Sequence, residues 1–350
     1  MIRHARRMTL RLDPALPLVW RTPDDLQVGA AAPVAVFEQA GDLESGLIAA
    51  LRHGVSLSTL VAIGSGLGAT PERVHEFVDR LEAGLVDGSQ IRAGSAPAAC
   101  ASPSASAARS VRADAASARP RTVGLDGSGP LADLLTANLA VLGHEVLHFT
   151  SRALEPSDPV QDLPEPDLVV IVAAWAVTPA RHLPWLRRDL PHLAVVSDDA
   201  GIRVGPFVEP GRGPCLRCLD LAARDADAAW PVIAAQLAGR PAPVASQRLL
   251  FDAAALAASV VDARLATPLA TPLASPLGSR LGGSLDAASE RLTAASVSFD
   301  RRGSVGRRRA HAEHPACGCR APAGIAIPRA LPAAARRGAP SSATAADVPA

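Results

Sequence analysis

The chain lacks lysine and tyrosine altogether. Every basic side chain is arginine or histidine, so a phosphate-holding lysine is excluded from any site. No apolar run approaches the length of a membrane span, which excludes a transmembrane helix. The basic start, Met1 to Arg7, is followed by neither an apolar core nor a cleavage site, so a secretory signal is not expected. A net charge of +1 gives no global field toward nucleic acid or membrane. No Ser/His/Asp set has supporting spacing, which leaves a hydrolase reading without residues. Cysteine is scarce, with five in 350 residues, and four of them fall in two pairs. That pattern fits a reducing, cytoplasmic setting better than a disulfide framework.

The pairs are Cys215 with Cys218, and Cys317 with Cys319. Each pair is too close in sequence for an easy disulfide, and two short hairpins are suited to gripping one metal from two sides. A structural four-cysteine zinc site needs thiolates at about 2.3 Å from the metal. Closing the segment 219–316 costs roughly 4 kcal/mol in chain entropy. A structural zinc contributes about 10–16 kcal/mol and outweighs that cost. Free thiols, or a redox pair at Cys215 and Cys218, are the alternatives. Cys100 reads as a passive exposed thiol. His311 and His314 flank the second pair and read as supports or surface residues rather than ligands.

In chain order, 1–15 reads as an N-terminal tail. Residues 16–87 carry three short strand-like runs and three helices, a small α+β unit of winged-helix-like pattern. Its third helix has Thr70 as cap, Pro71 at the first position and Glu72 in the first turn. Glu72, His75, Glu76, Asp79 and Glu82 make that helix acidic, with Arg73 and Arg80 offsetting them in part. An acidic helix is a poor reader of DNA phosphates. Adding a strand to a sheet edge at Val34, Ala35, Val36 and Phe37 is the better use of such a unit. Residues 88–120 are an Ala/Ser-rich linker. Residues 121–320 read as an α/β domain, with a low-complexity Ala-Thr-Pro-Leu insertion at 266–282. Leu292 to Phe299 and the Arg-rich 301–309 form a late hairpin that delivers Cys317 and Cys319. The segment 321–350 reads as a disordered tail.

A strand at Arg121 to Leu125 runs into Gly127-Ser128-Gly129-Pro130-Leu131-Ala132, the G-x-G-x-x-A form of the dinucleotide turn. Gly127, Gly129 and Ala132 are therefore the nucleotide-site candidates. The bland alternative is a tight strand-to-helix turn with no ligand. The second strand ends in Phe149-Thr150-Ser151-Arg152 without the acid that would hold a ribose. The strand at Asp167 to Val172 leads into Ala173-Ala174-Trp175-Ala176, where a metal-holding Asp is missing. Arg152, Arg181 and Arg203 could reach phosphates, but nothing in the sequence gathers them. Asp198 and Asp199 are paired carboxylates after a strand and read as a turn or cap feature before a catalytic dyad.

Val204-Gly205-Pro206-Phe207-Val208-Glu209-Pro210-Gly211-Arg212-Gly213-Pro214-Cys215-Leu216-Arg217-Cys218 resembles the segment before the zinc pair in ThiF/MoeB-type adenylyltransferases of the ubiquitin-activating-enzyme superfamily. His314-Pro315-Ala316-Cys317-Gly318-Cys319 resembles the ending of one branch. That branch is the ThiF-like cyclodehydratase partner, or leader-peptide-binding protein, of azole-modified peptide (bacteriocin) biosynthesis. The resemblance implies a ThiF-like, Rossmann-type parallel sheet with a four-cysteine zinc site, preceded by a winged-helix peptide clamp. It implies a subunit that binds the leader of a ribosomal precursor peptide and presents it to a YcaO-type ATPase, which cyclises Cys, Ser or Thr to azolines. It also implies a homodimer through the ThiF-like domain. Zinc is the expected cofactor, and ATP is not expected, because the acids and the lysine of active relatives are absent. No catalytic residue is assigned, and no nucleic-acid or membrane partner. An active ATP-dependent adenylyltransferase is the alternative, and a zinc-bearing winged-helix regulator the third.

Overall fold

A computed structural model describes residues 9–88, 121–149, 165–266, 292–301 and 307–319. Cys100 and Arg152, the linker past Gly88, the insertion past Ala266 and the tail 321–350 lie outside the described residues.

The N-terminal unit holds strands β1 (Thr9–Leu12), β2 (Leu18–Trp20), β3 (Leu26–Val28) and β4 (Ala35–Phe37), followed by helix α1 (Asp42–His53). Strand β5 (Val55–Ser56), helices α2 (Leu57–Gly66) and α3 (Pro71–Arg80), and strand β6 (Leu85–Asp87) complete it. They build two small sheets, ordered β5-β1-β6 and β2-β3-β4. Strand β1 lies ahead of the boundary placed at residue 16. Its partners sit more than forty residues downstream, as in Leu12 opposite Leu85, a pairing that four residues alone do not reveal. Helix α1 buries Leu47, Ile48 and Leu51 and stops at Gly54, whose φ of 84° only glycine adopts easily. The Ser56 and Thr70 hydroxyls accept from the third residue onward and start α2 and α3. Val74, Phe77 and Leu81 close the core against Leu12, Leu26, Val28 and Phe37.

The second unit is one seven-stranded sheet, built from β7 (Thr122–Asp126), β8 (Glu145–Phe149), β9 (Leu168–Ala174), β10 (His192–Ser197), β11 (Gly201–Val208), β12 (Ala295–Asp300) and β13 (Arg307–Ala310). Its order is β13-β12-β11-β10-β9-β7-β8. The expected parallel sheet is in fact mixed. Strands β8, β7, β9 and β10 run parallel, and β11, β12 and β13 are antiparallel additions. Only Asp198, Asp199 and Ala200 join β10 to β11, and so short a connection cannot make a parallel crossover.

Helices α4 (Pro130–Val141) and α8 (Gln247–Ala266) cover one face. The small side chains of Ala253, Ala254, Ala257 and Ala258 let α8 lie close against Leu135, Leu139 and Val204. Helices α5 (Pro179–Arg187) and α6 (Leu216–Ala226) lie on the other face, around Trp185, Val169 and Ile171. The helical stretch after the first cysteines breaks at Asp227–Ala229 instead of at Pro231, which sits in the first turn of α7 (Trp230–Leu237), where proline is tolerated. Among the described residues no helix is long and apolar enough to cross a membrane.

The two units meet along β2. Trp20 donates to the Gln236 side chain at 2.9 Å and accepts from it at 2.6 Å, so a helix amide closes that sheet edge. Arg21 forks onto Asp227 at 2.6 and 2.8 Å. Val19, Trp175, Ile233 and Leu237 form a small buried core beneath.

Candidate functional site

The four cysteines converge. Cys215 caps the start of α6 and Cys218 sits in its first turn, so one helical turn fixes both sulfurs on the same side. The hairpin of β12 and β13 carries the chain back across the sheet to the turn 314–319. Sulfur separations are 3.8 Å for Cys215–Cys218, 3.6 Å for Cys215–Cys317 and 3.6 Å for Cys218–Cys319. All four sulfurs lie within 4.8 Å of one another. A tetrahedron with metal–sulfur bonds of about 2.3 Å has edges of about 3.8 Å. A disulfide would instead bring the sulfurs to about 2 Å, so the set is four free thiols that could hold one metal ion.

Its electrostatics agree with that arrangement. Burial, and then the neighbouring sulfurs, push the Cys215 thiol up to about 11. Cys319 is raised for the same reasons. Burial also acts to raise Cys218, but backbone hydrogen bonds at His314 and Cys215 bring it below the ordinary thiol value. A cation among them supplies the charge that lets every thiol ionise, so metal binding releases protons. With four protein ligands the ion would have no open position, which makes this a structural centre rather than a catalytic one.

His314 stands outside the sulfur set and holds it. Its Nε2 meets Asp225 of α6 at 2.7 Å, and its Nδ1 accepts from the Ala316 amide at 3.1 Å. Both ring nitrogens are thereby engaged, which leaves none for metal. His311 meets the Ser296 hydroxyl at 2.8 Å.

The nucleotide-turn candidates are divided by the structure. A Cβ on Gly127 would lie 2.6 Å from the Val172 carbonyl oxygen, so this glycine is required by close packing. Ala132 is buried in the core. Gly129, at φ 95°, has nothing within 4 Å of a Cβ and opens the α4 N-terminus. Beside this turn is a residue that the sequence did not single out. Asp126 ends β7 fully buried, and burial raises its carboxyl against the lowering effect of Arg181. Arg181 donates to Asp126 Oδ2 at 3.0 Å, to the Asp126 carbonyl at 2.7 Å and to the Val172 carbonyl at 2.9 Å. That guanidinium is committed to the ends of β7 and β9. The available signal was an acid closing an apolar strand just before the glycines. Arg203 is directed to the Gly205 carbonyl at 3.4 Å.

The acid pair splits into two tasks. Asp198 accepts from the Ala200 and Gly201 amides at 2.9 and 3.0 Å and shapes the β10–β11 turn. Burial, aided by Asp199, raises its carboxyl to about 6. Asp199 reaches into the other unit and accepts from the Ala30 and Ala31 amides at 2.6 and 2.9 Å. Asp199 therefore docks one unit on the other.

Among Val34, Ala35, Val36 and Phe37, the last three form β4, at the edge of the β2-β3-β4 sheet. Arg21 and Gly29 donate to Asp25 and Pro17 at 2.8 and 2.9 Å, which directs the Gln27 backbone toward β2. Leu26 and Val28 therefore bond toward β4, and Val36 turns its N–H and C=O outward. The Val36 carbonyl accepts from Arg80 of α3. Arg80 also lies over Phe37 at 4.4 Å, and Phe37 stacks on Phe77 at 4.9 Å. The edge is thus adjacent to the last turn of α3.

No family model matches the chain, and no curated protein matches it. Solved structures resemble it at low identity. One is a heterocyclase in complex with substrate and cofactor, 17% identical with a TM-score of 0.41 over 89% of this chain and 40% of that chain. Another is the E. coli microcin synthetase McbBCD complex, at 11% identity and a TM-score of 0.38 over 89% of this chain and 100% of that chain. A third is E. coli MccB, at 13% and 0.37 over 89% and 97%. The chain spans less than half the length of the heterocyclase it matches.

Proposed function

We propose that the chain is a zinc-stabilised, ThiF-like subunit that binds the leader of a ribosomal precursor peptide and presents it to a YcaO-type ATP-dependent cyclodehydratase. Residues 16–87 act as the winged-helix-like clamp, and residues 121–320 as the domain that docks the partner. Catalysis belongs to that partner. The motif resemblance around Cys215–Cys218 and His314–Cys319 supports this reading, together with a sulfur geometry in which the four cysteines could hold one metal ion.

The observation that carries the peptide site is the outward-turned Val36 amide on an edge strand beside an acidic helix. An extended peptide pairs with such an edge through its backbone, and side-chain pockets set its register. Arg80 is exposed, so releasing the Val36 carbonyl to an incoming strand removes no buried contact.

The test is fluorescence anisotropy of labelled leader peptides encoded near this gene, titrated with the full chain. Val36→Pro removes the outward N–H and leaves the bonds of Leu26 and Val28 intact. A drop in affinity of tenfold or more is expected. Equal binding by the folded variant, or no binding of any such peptide by the parent chain, rejects the site.

The adenylyltransferase alternative draws on Gly129, whose open side leaves room at a helix N-terminus. Against it stands Arg181, held by Asp126 and two carbonyls instead of directed into that opening. ATP–pyrophosphate exchange that is abolished by Gly129→Glu would favour the alternative.

A further inference from the structure

The far edge of the seven-stranded sheet presents a second backbone edge, rich in arginine. Among the described residues strand β13 is terminal in the strand order, and Arg307, Arg308, Arg309 and Ala310 are all exposed. The His311 amide donates to the Ala294 carbonyl at 2.8 Å. With Ala295 opposite Ala310 and Ser296 opposite Arg309, that bond fixes the alternation. Arg307 and Arg309 direct their backbone groups to β12. Ala310 turns its N–H and C=O away from the sheet.

The side chains follow the same geometry. Arg307 and Arg309 lie on one face, two residues or about 6.7 Å apart along the strand. Arg203, Ser298 and Arg307 stand in a row on that face, each opposite the next. Burial first, and then Arg203 and Arg309, push the His311 imidazole down to about 4, so it stays neutral at pH 7.

We propose that β13 is a docking edge for an acidic, extended segment of another polypeptide, which adds as an eighth strand with carboxylates opposite Arg307 and Arg309. An incoming strand places a side chain about 5 Å from each arginine. Acidic residues at alternate positions therefore meet both guanidinium groups, each able to take a carboxylate in a two-pronged bond. The last stretch of this chain fits poorly. The stretch 320–350 carries Arg320, Arg329, Arg336 and Arg337 against Asp347 alone. A nucleic-acid strand fits less well too, because bases need aromatic platforms. Within 295–310 the sole aromatic, Phe299, is buried in the core. The proposal does not depend on the leader site, which lies on a different sheet.

The probe is a labelled synthetic peptide of about eight residues alternating Thr and Glu, a length typical of strands. It is titrated against the full chain at low salt and again at about 0.5 M salt. Binding is expected at low salt, at least tenfold weaker at high salt, and at least tenfold weaker for the Arg307→Glu/Arg309→Glu chain. Ala310→Pro, and separately a peptide N-methylated at alternate residues, should each abolish it without changing any charge. Circular dichroism checks that the variants fold, and the N-methyl peptide tests backbone pairing on the unaltered chain. A flat titration overturns the proposal and leaves the arginines as guards against edge-to-edge pairing. Binding indifferent to both backbone blocks also overturns it. So does tighter binding of a single-stranded DNA oligomer at the same arginines.

Discussion

Asp198 shows how one residue answers to both its turn and its burial. Its carboxylate accepts two amides at the β10–β11 turn, yet burial raises it to about 6. A carboxyl whose folded value exceeds its unfolded value of 3.8 binds protons better in the folded state. The stability it contributes is complete below about pH 4 and is lost as pH rises through about 6. Asp198→Asn keeps an acceptor oxygen and removes the ionisation. The variant should lose this downward slope between pH 4 and 6, and should gain on the order of 2 kcal/mol relative to the parent at pH 7. Thermal melts of both chains across that range measure the difference. A parallel pair of curves would show that the carboxyl titrates normally. The turn role of Asp198 was legible from two acids after an apolar strand. The role of Asp199 was not, because its partners, the Ala30 and Ala31 amides, are distant in sequence. The buried Arg181–Asp126 pair was hidden for the same reason.

At the scale of elements, the helix starts were well marked. Thr70-Pro71-Glu72 specifies a cap, a first position and a first-turn acid within three residues, and α3 begins there. Local chemistry decides such points without help from the rest of the fold. The two-residue strand β5 and the four-residue strand β1 carry too few side chains to show a period. The hairpin β12–β13, helix α6 and the turn 314–319 act as one assembly through their sulfurs. Removing one ligand leaves three thiols crowded together and the hairpin held by Asp225–His314 and the β11–β12 ladder. Cys218→Ser should therefore lose its metal, about one zinc per chain in the parent, and also unfold at much lower temperature. Metal analysis with a thermal melt tests both. A variant that loses metal but melts like the parent would show that the ion does not hold the fold.

For the whole molecule, the decisive feature is how the two units are joined. Asp199 is buried and satisfies two amides of the other unit. Asp199→Ala leaves both N–H groups without an acceptor, at about 1–3 kcal/mol for each one that stays buried. Hydrogen exchange should accelerate at least tenfold at Ala30 and Ala31 and at Trp20, whose amide faces Gln236. Amides in the centre of β9 and β10 should keep their rates. Unchanged exchange at Ala30 and Ala31 would mean that the docking does not rely on Asp199.

The cysteine pairs, the glycine turn, the alternation of apolar strands with helices and the punctuation by Gly and Pro are properties of neighbours in the chain. The sequence by itself determined them, because a few adjacent side chains are enough to set a cap, a turn or a strand period. Tertiary structure alone decided that the sheet is mixed, that Gly127 is filled by a carbonyl, and that Asp199 clasps the other unit. It also decided that β4 and β13 end their sheets as edge strands. Each of these depends on groups brought together from far along the chain, and no local pattern records which distant residue will arrive.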